Sequence, residues 1–236
     1  MEVSFESAYL VLTLPFVVFW FLFFAFSKKT RKQQLIMSLI LLPAGTISEL
    51  FYFQDYWSPG SVLSFDLGPV PILLEDLVFS FCFGGVASVA YILFWKQKLA
   101  HFYRRGSPSL LGEWWFIILL GTAFSVSLFV LGVNSIFASS IGNLLGALLI
   151  ILNRRELAFV SFYGGLSTAL IMLIGYSLLL PVVANDNEIL QQGWFLYGTS
   201  LDIRPFGVPL TEMVWAFATG AFIGPLYEYV KETKKS

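Results

Sequence analysis

The sequence predicts an all-α membrane protein of seven transmembrane helices, arranged as two parallel three-helix repeats joined by a bridging helix. Three observations lead there. Seven apolar runs each have the length of a bilayer crossing, positive charge gathers beside alternate runs, and two distant stretches align without gaps.

Hydrophobic residues make up 57% of the 236, and charged residues only 12%, about half the usual share for a soluble domain. A crossing takes about 17 to 25 apolar residues. The runs 8–27, 34–53, 72–95, 114–132, 135–152, 157–181 and 208–230 satisfy this. Lys28, Lys29, Arg31 and Lys32 follow the first run, and Lys96, Lys98, Arg104 and Arg105 follow the third. Arg154 and Arg155 lie between runs five and six, and Lys231, Lys234 and Lys235 follow the seventh. With seven alternating spans, these thirteen share one side and Arg204 alone takes the other. The positive-inside bias then puts the N-terminus outside the cell membrane and the C-terminus in the cytoplasm. The opening "MEVSFESAYLVL" is acidic where a signal peptide is basic, so the first run is expected to be retained.

The repeat comes from setting Leu77–Tyr91 against Met213–Tyr227. Asp76 pairs with Glu212, Phe79 with Trp215, Phe81 with Phe217, Gly84 with Gly220 and Tyr91 with Tyr227. Val70-Pro71 matches Val208-Pro209 after a two-residue slip, and a loop containing tryptophan precedes each copy, "DYWSPGS" and "QGWFLYGTSLD". The expected division is 1–98 for the first repeat, 99–133 for the bridging loop and fourth helix, and 134–236 for the second repeat. Copies four spans apart run the same way through the bilayer, about an axis along its normal.

Several chemistries are excluded. Cys82 and His101 are the only cysteine and histidine, which removes disulfides, cysteine metal clusters and histidine-based metal motifs, so no metal is expected. No lysine lies mid-span for a retinal Schiff base. No glycine-rich nucleotide fingerprint occurs, so no cofactor is expected. Lipid and a lipid-soluble ligand are the expected partners, and nucleic acid is not.

The informative residues are acids at span ends. Pro71 and Pro209 suit the first turn of spans three and seven, which places Asp76 and Glu212 about a turn further in. The helix dipole favours one acid there, but Glu75 and Asp76 diverge by about 100° and cannot both cap. Acids inside a membrane point to function. Glu49, in "GTISELFYF", is a further candidate, whereas solvation is the expected state of Asp55, Asp66 and Asp202. Phe53, Trp57, Phe79, Phe83 and Trp215 are the candidate ring walls. Asn143 is a polar group that needs a partner, and the Gly142/Gly146 and Gly220/Gly224 spacings predict close helix contact.

Tandem three-helix units, each with a tryptophan loop leading to a proline and then acids, resemble the integral-membrane lycopene cyclase family in its fused form. That family's acidic motif is Pro-x-Glu-Glu. Here the first copy reads Pro71-Ile-Leu-Leu-Glu75-Asp76 and the second Pro209-Leu-Thr211-Glu212. The resemblance implies non-redox cyclisation of an acyclic polyene end. A proton adds to the terminal alkene, the next alkene captures the cation, and a neighbouring proton leaves. Burial raises a carboxyl pKa and proton sharing raises one of a pair further, while ring faces stabilise the cation. Asp76 or Glu75 is the expected donor, with Glu212 or Glu49 as partner or base. The amides Glu75→Gln, Asp76→Asn and Glu212→Gln are all expected to abolish cyclisation. Two rivals stand beside this reading: a transporter or proton conductor using the acids, and a carotenoid-binding protein without chemistry.

Overall fold

The computed structural model describes residues 4–66, 71–95, 113–183 and 188–233. Val70, His101, the basic residues of 96–105, the start of the bridging segment, and Lys234 and Lys235 lie outside them. Eight α-helices occur among the described residues: α1 Phe5–Phe26, α2 Arg31–Asp55, α3 Leu74–Trp95, α4 Trp114–Val130, α5 Ser135–Asn153, α6 Ala158–Val183, α7 Glu188–Gly193 and α8 Leu210–Thr233. Strands β1 Ser64–Asp66 and β2 Pro71–Leu73 form an antiparallel hairpin before α3.

Five helices, α1, α2, α3, α5 and α6, are long and apolar enough to cross a membrane. The 17 residues of α4 are apolar but reach only about 26 Å. The 24 residues of α8 are long enough but less apolar, carrying Thr211, Glu212, Thr219 and Glu228. Its place in the bundle explains this. α8 packs on α6, α5 and α3, so little of it needs to satisfy lipid.

α3 and α8 form the centre, and their small residues are the reason. Gly84, Gly85, Ala87, Ser88 and Ala90 are buried on α3, as are Ala216, Ala218, Gly220, Ala221 and Gly224 on α8. A side chain on Gly220 would lie 2.9 Å from the Gly164 carbonyl oxygen and 2.0 Å from Thr168 Oγ1. The gap is used for hydrogen bonds between helices. The Thr168 hydroxyl donates to the Ala216 carbonyl and Ser161 to that of Ala221, each at 2.7 Å. The Asn143 amide donates to Thr219 Oγ1 at 2.9 Å, which joins α5 to α8 and gives this half-buried group its partner. Deeper in the first half, Gln33 donates to the Ser88 carbonyl at 2.7 Å and Trp20 Nε1 to Ser38 Oγ at 2.9 Å.

Two tryptophan loops meet at one end of the bundle, here called the tryptophan end. Trp57 and Trp194 form an antiparallel bridge. Ser58 N–H donates to the Gly193 carbonyl at 2.8 Å and Phe195 N–H to that of Tyr56 at 3.0 Å.

The structure corrects three local expectations. Pro71 opens β2 rather than the first turn of α3, because the chain enters that helix from a hairpin. Pro209 does precede α8 directly. Asp55 is not simply solvated: it accepts from Ser135 N–H at 3.0 Å and from the Ser135 hydroxyl, capping α5. Asp202 pairs with Arg204 at 2.7 Å. Pro43 and Pro225 lie within α2 and α8, both of which continue through them.

Candidate functional site

On α2, Glu49, Tyr52 and Tyr56 follow one another at i, i+3 and i+7. On α3 the same spacing places Asp76, Phe79 and Phe83, and on α8 Glu212, Trp215 and Thr219. This spacing keeps three side chains on one helix face. The three faces converge on one cavity of about 500 Å³, completed by α1, α4, α5 and α6. Such a volume is ordinary for a small-molecule site. From Glu212 to Leu226 the lining follows α8 for fourteen residues, about 21 Å of helix. The cavity is therefore elongated, with acids at the tryptophan end and mostly apolar walls beyond.

Asp76 is 1% exposed and Glu49 5%. The Tyr9 hydroxyl and the Glu49 carboxyl are the polar groups that approach Asp76. Neither completes a hydrogen bond of ordinary geometry, so both Asp76 oxygens and Glu49 Oε2 are buried without a partner among the described residues. Unsatisfied buried carboxyl oxygens are costly and rare. A proton shared between the two carboxyls would relieve this cost.

Glu212 is treated differently. Tyr56, 3% exposed, donates its hydroxyl to Glu212 Oε1 at 2.5 Å and stands 3.2 Å from Thr211 Oγ1. Trp215 Nε1 donates to Tyr52 Oη at 2.9 Å, and Tyr52 in turn to Ser139 Oγ at 2.8 Å. Tyr176 also lines the cavity, within electrostatic reach of Glu212. Glu49 feels the charges of both Asp76 and Glu212.

Aromatic faces form one wall. Phe79 stacks on Trp215 with ring centres 6.0 Å apart, Phe83 lies 5.1 Å from Trp215, and Tyr9 bridges Phe79 and Trp57 at 6.4 and 6.3 Å. Such faces suit a cation.

Of the residues singled out from sequence, Glu49, Asp76, Glu212, Trp57, Phe79, Phe83 and Trp215 line the cavity. Glu75 and Phe53 do not. Glu75 is 1% exposed, but it accepts from Ser61 Oγ and Val62 N–H, each at 2.7 Å, and so ties the hairpin to α3. Neighbours in a helix point about 100° apart, so only one of the adjacent acids reaches the cavity. Phe53 stands off the lining face of α2, which carries Phe51 and Tyr52. Sequence reasoning missed Tyr9 and Tyr176 and reads Tyr52 and Tyr56 only as rings of an interfacial aromatic belt. The i, i+3, i+7 spacing from Glu49 was the signal for two of them. No cluster of three or more His, Cys, Asp and Glu with metal-holding geometry occurs among the described residues.

The fold and the site define a class: a helical bundle, five of its helices long and apolar enough to cross a membrane, around an acidic, ring-walled, elongated cavity. Comparison with protein-family models, with curated proteins and with solved structures finds no match to this chain.

Proposed function

We propose that the chain is a carotenoid end-group cyclase of the lycopene type, acting in the cell membrane with its tryptophan end outward. The observation that carries this reading is the Asp76 carboxyl, buried beside Glu49 and Tyr9 with no completed hydrogen bond among the described residues and facing a cavity that also holds Glu212. Protonating an alkene needs a carboxyl that still carries its proton and has no better acceptor for it. An apolar channel of about 21 Å accepts one end of a rod-like polyene, and its walls exclude the water that would trap a cation. Proton and cation chemistry are confined to one end, beside the rings of Phe79, Phe83 and Trp215.

Helix packing supports the reading of two repeats. Within each unit the third helix packs most on the second, as α3 does on α2 and α8 on α6. Gly84 lies against the Met37 carbonyl and Leu41, and Gly220 against the Gly164 carbonyl and Thr168. Superposing these contacts sets Met37 on Gly164, and hence Glu49 on Tyr176, each twelve residues further on.

The test is expression in a host that accumulates acyclic polyene, followed by chromatography of the pigments. Ringed products are expected. Pigment that co-purifies unchanged identifies a binder instead, and a chain with no effect on pigment is not a cyclase.

A further inference from the structure

The two halves are alike in packing and unlike in chemistry. In the first, Asp76 faces a second acid, Glu49, and neither Asp76 oxygen has a hydrogen-bond partner among the described residues. In the second, Tyr176 takes the place of Glu49, and Glu212 accepts from the Tyr56 hydroxyl at 2.5 Å. Tyr56 belongs to neither third helix. It closes α2 of the first half, and its backbone carbonyl holds Phe195 of the second at 3.0 Å. A carboxyl beside a second carboxyl, with the Tyr9 hydroxyl near but no hydrogen bond completed, is suited to carrying a proton, and a carboxylate held by a donated hydrogen bond is suited to receiving one.

We propose that Tyr56 is a positioning residue that makes Glu212 the proton acceptor of ring closure, leaves the Glu49–Asp76 pair as proton source, and thereby governs where the ring double bond forms. This rests on the cyclase reading. Asp76 breaks its O–H bond as the terminal alkene's π pair takes the proton. The next alkene's π pair closes the six-membered ring and leaves a cation on a ring carbon. Glu212 removes a proton from an adjacent carbon, whose C–H pair becomes the ring double bond. The proton then returns from Glu212 to the Glu49–Asp76 pair, so the enzyme is restored and the product is an isomer of the substrate. Which adjacent carbon loses its proton depends on Glu212 to within about an ångström. The Tyr56 hydroxyl sets that position, with Thr211 Oγ1 3.2 Å from it.

The experiment compares wild type with Tyr56→Phe and Thr211→Val in membranes supplied with acyclic polyene, separating ring isomers and measuring kcat and KM. Folded yield is followed by size exclusion in detergent. Tyr56→Phe is expected to keep closing rings with KM little changed, to lose about tenfold or more in kcat, and to alter the share of double-bond isomers. Thr211→Val is expected to shift that share in the same direction by less. Folded Tyr56→Phe with wild-type kcat and isomer share overturns the inference while leaving the cyclase reading intact. Should Tyr56→Phe fail to fold, an unchanged share in Thr211→Val overturns it equally. Wild-type protein that makes no ringed product overturns both.

Discussion

Replacing Asp76 by asparagine keeps the shape of the side chain and removes its acidic proton. Asp76 is 1% exposed, touches a second carboxyl, and forms no hydrogen bond among the described residues that the change would break. Structural damage should therefore be small, and relief of the crowded acids should leave the melting temperature unchanged or raised. Chemistry should suffer fully, because general acid catalysis by one positioned group is worth about 10²- to 10⁴-fold. That corresponds to about 2.7 to 5.4 kcal/mol in the barrier. The assay is ringed-product formation per unit of folded protein in membranes, with thermal unfolding in detergent alongside. Turnover of Asp76→Asn within tenfold of wild type would refute the assignment of Asp76 as donor, and with it the argument from unpartnered oxygens.

Glu75→Gln should cost about 1 to 3 kcal/mol of stability by weakening the hairpin tie to Ser61 and Val62, with ringed product still formed, read by unfolding and pigment chromatography. Gly220→Val should reduce folded yield sharply, since its Cβ would meet the Gly164 carbonyl oxygen at 2.9 Å on a facing helix; size exclusion measures this. Asn143→Leu should cost about 0.6 kcal/mol, and at most about 1.7, through loss of its bond to Thr219, measured by thermal unfolding. Asp55→Ala should cost about 1 to 3 kcal/mol by leaving the Ser135 N–H and hydroxyl at the start of α5 without their acceptor, with the same assay as the check.

The helices were legible because apolar runs translate directly into length. Bounds such as 34–53 and 208–230 become Arg31–Asp55 and Leu210–Thr233, a difference of three residues or fewer at each end. The hairpin was not legible: Pro71–Leu73 is apolar enough to merge with the run behind it, and pairing with Ser64–Asp66 depends on a partner several residues away. Acids stood out in the site because a charge in a greasy run is conspicuous. Glu75 misled because adjacency along the chain is divergence around a helix. The tyrosines hid for the opposite reason, since rings near a membrane surface already have an explanation in the interface. Their hydroxyls matter only through distances, Tyr56 to Glu212 above all, and no spacing rule states a distance between α2 and α8.

The central position of α8 sets an order on biogenesis. Ribosomal synthesis delivers Glu212 last of the three cavity acids, after Glu49 and Asp76. Until α8 packs against its predecessors, Glu49 and Asp76 stand without Glu212, in a cavity open on the side α8 will occupy. On the proposed reading, a chain without α8 lacks the proton acceptor and closes no ring.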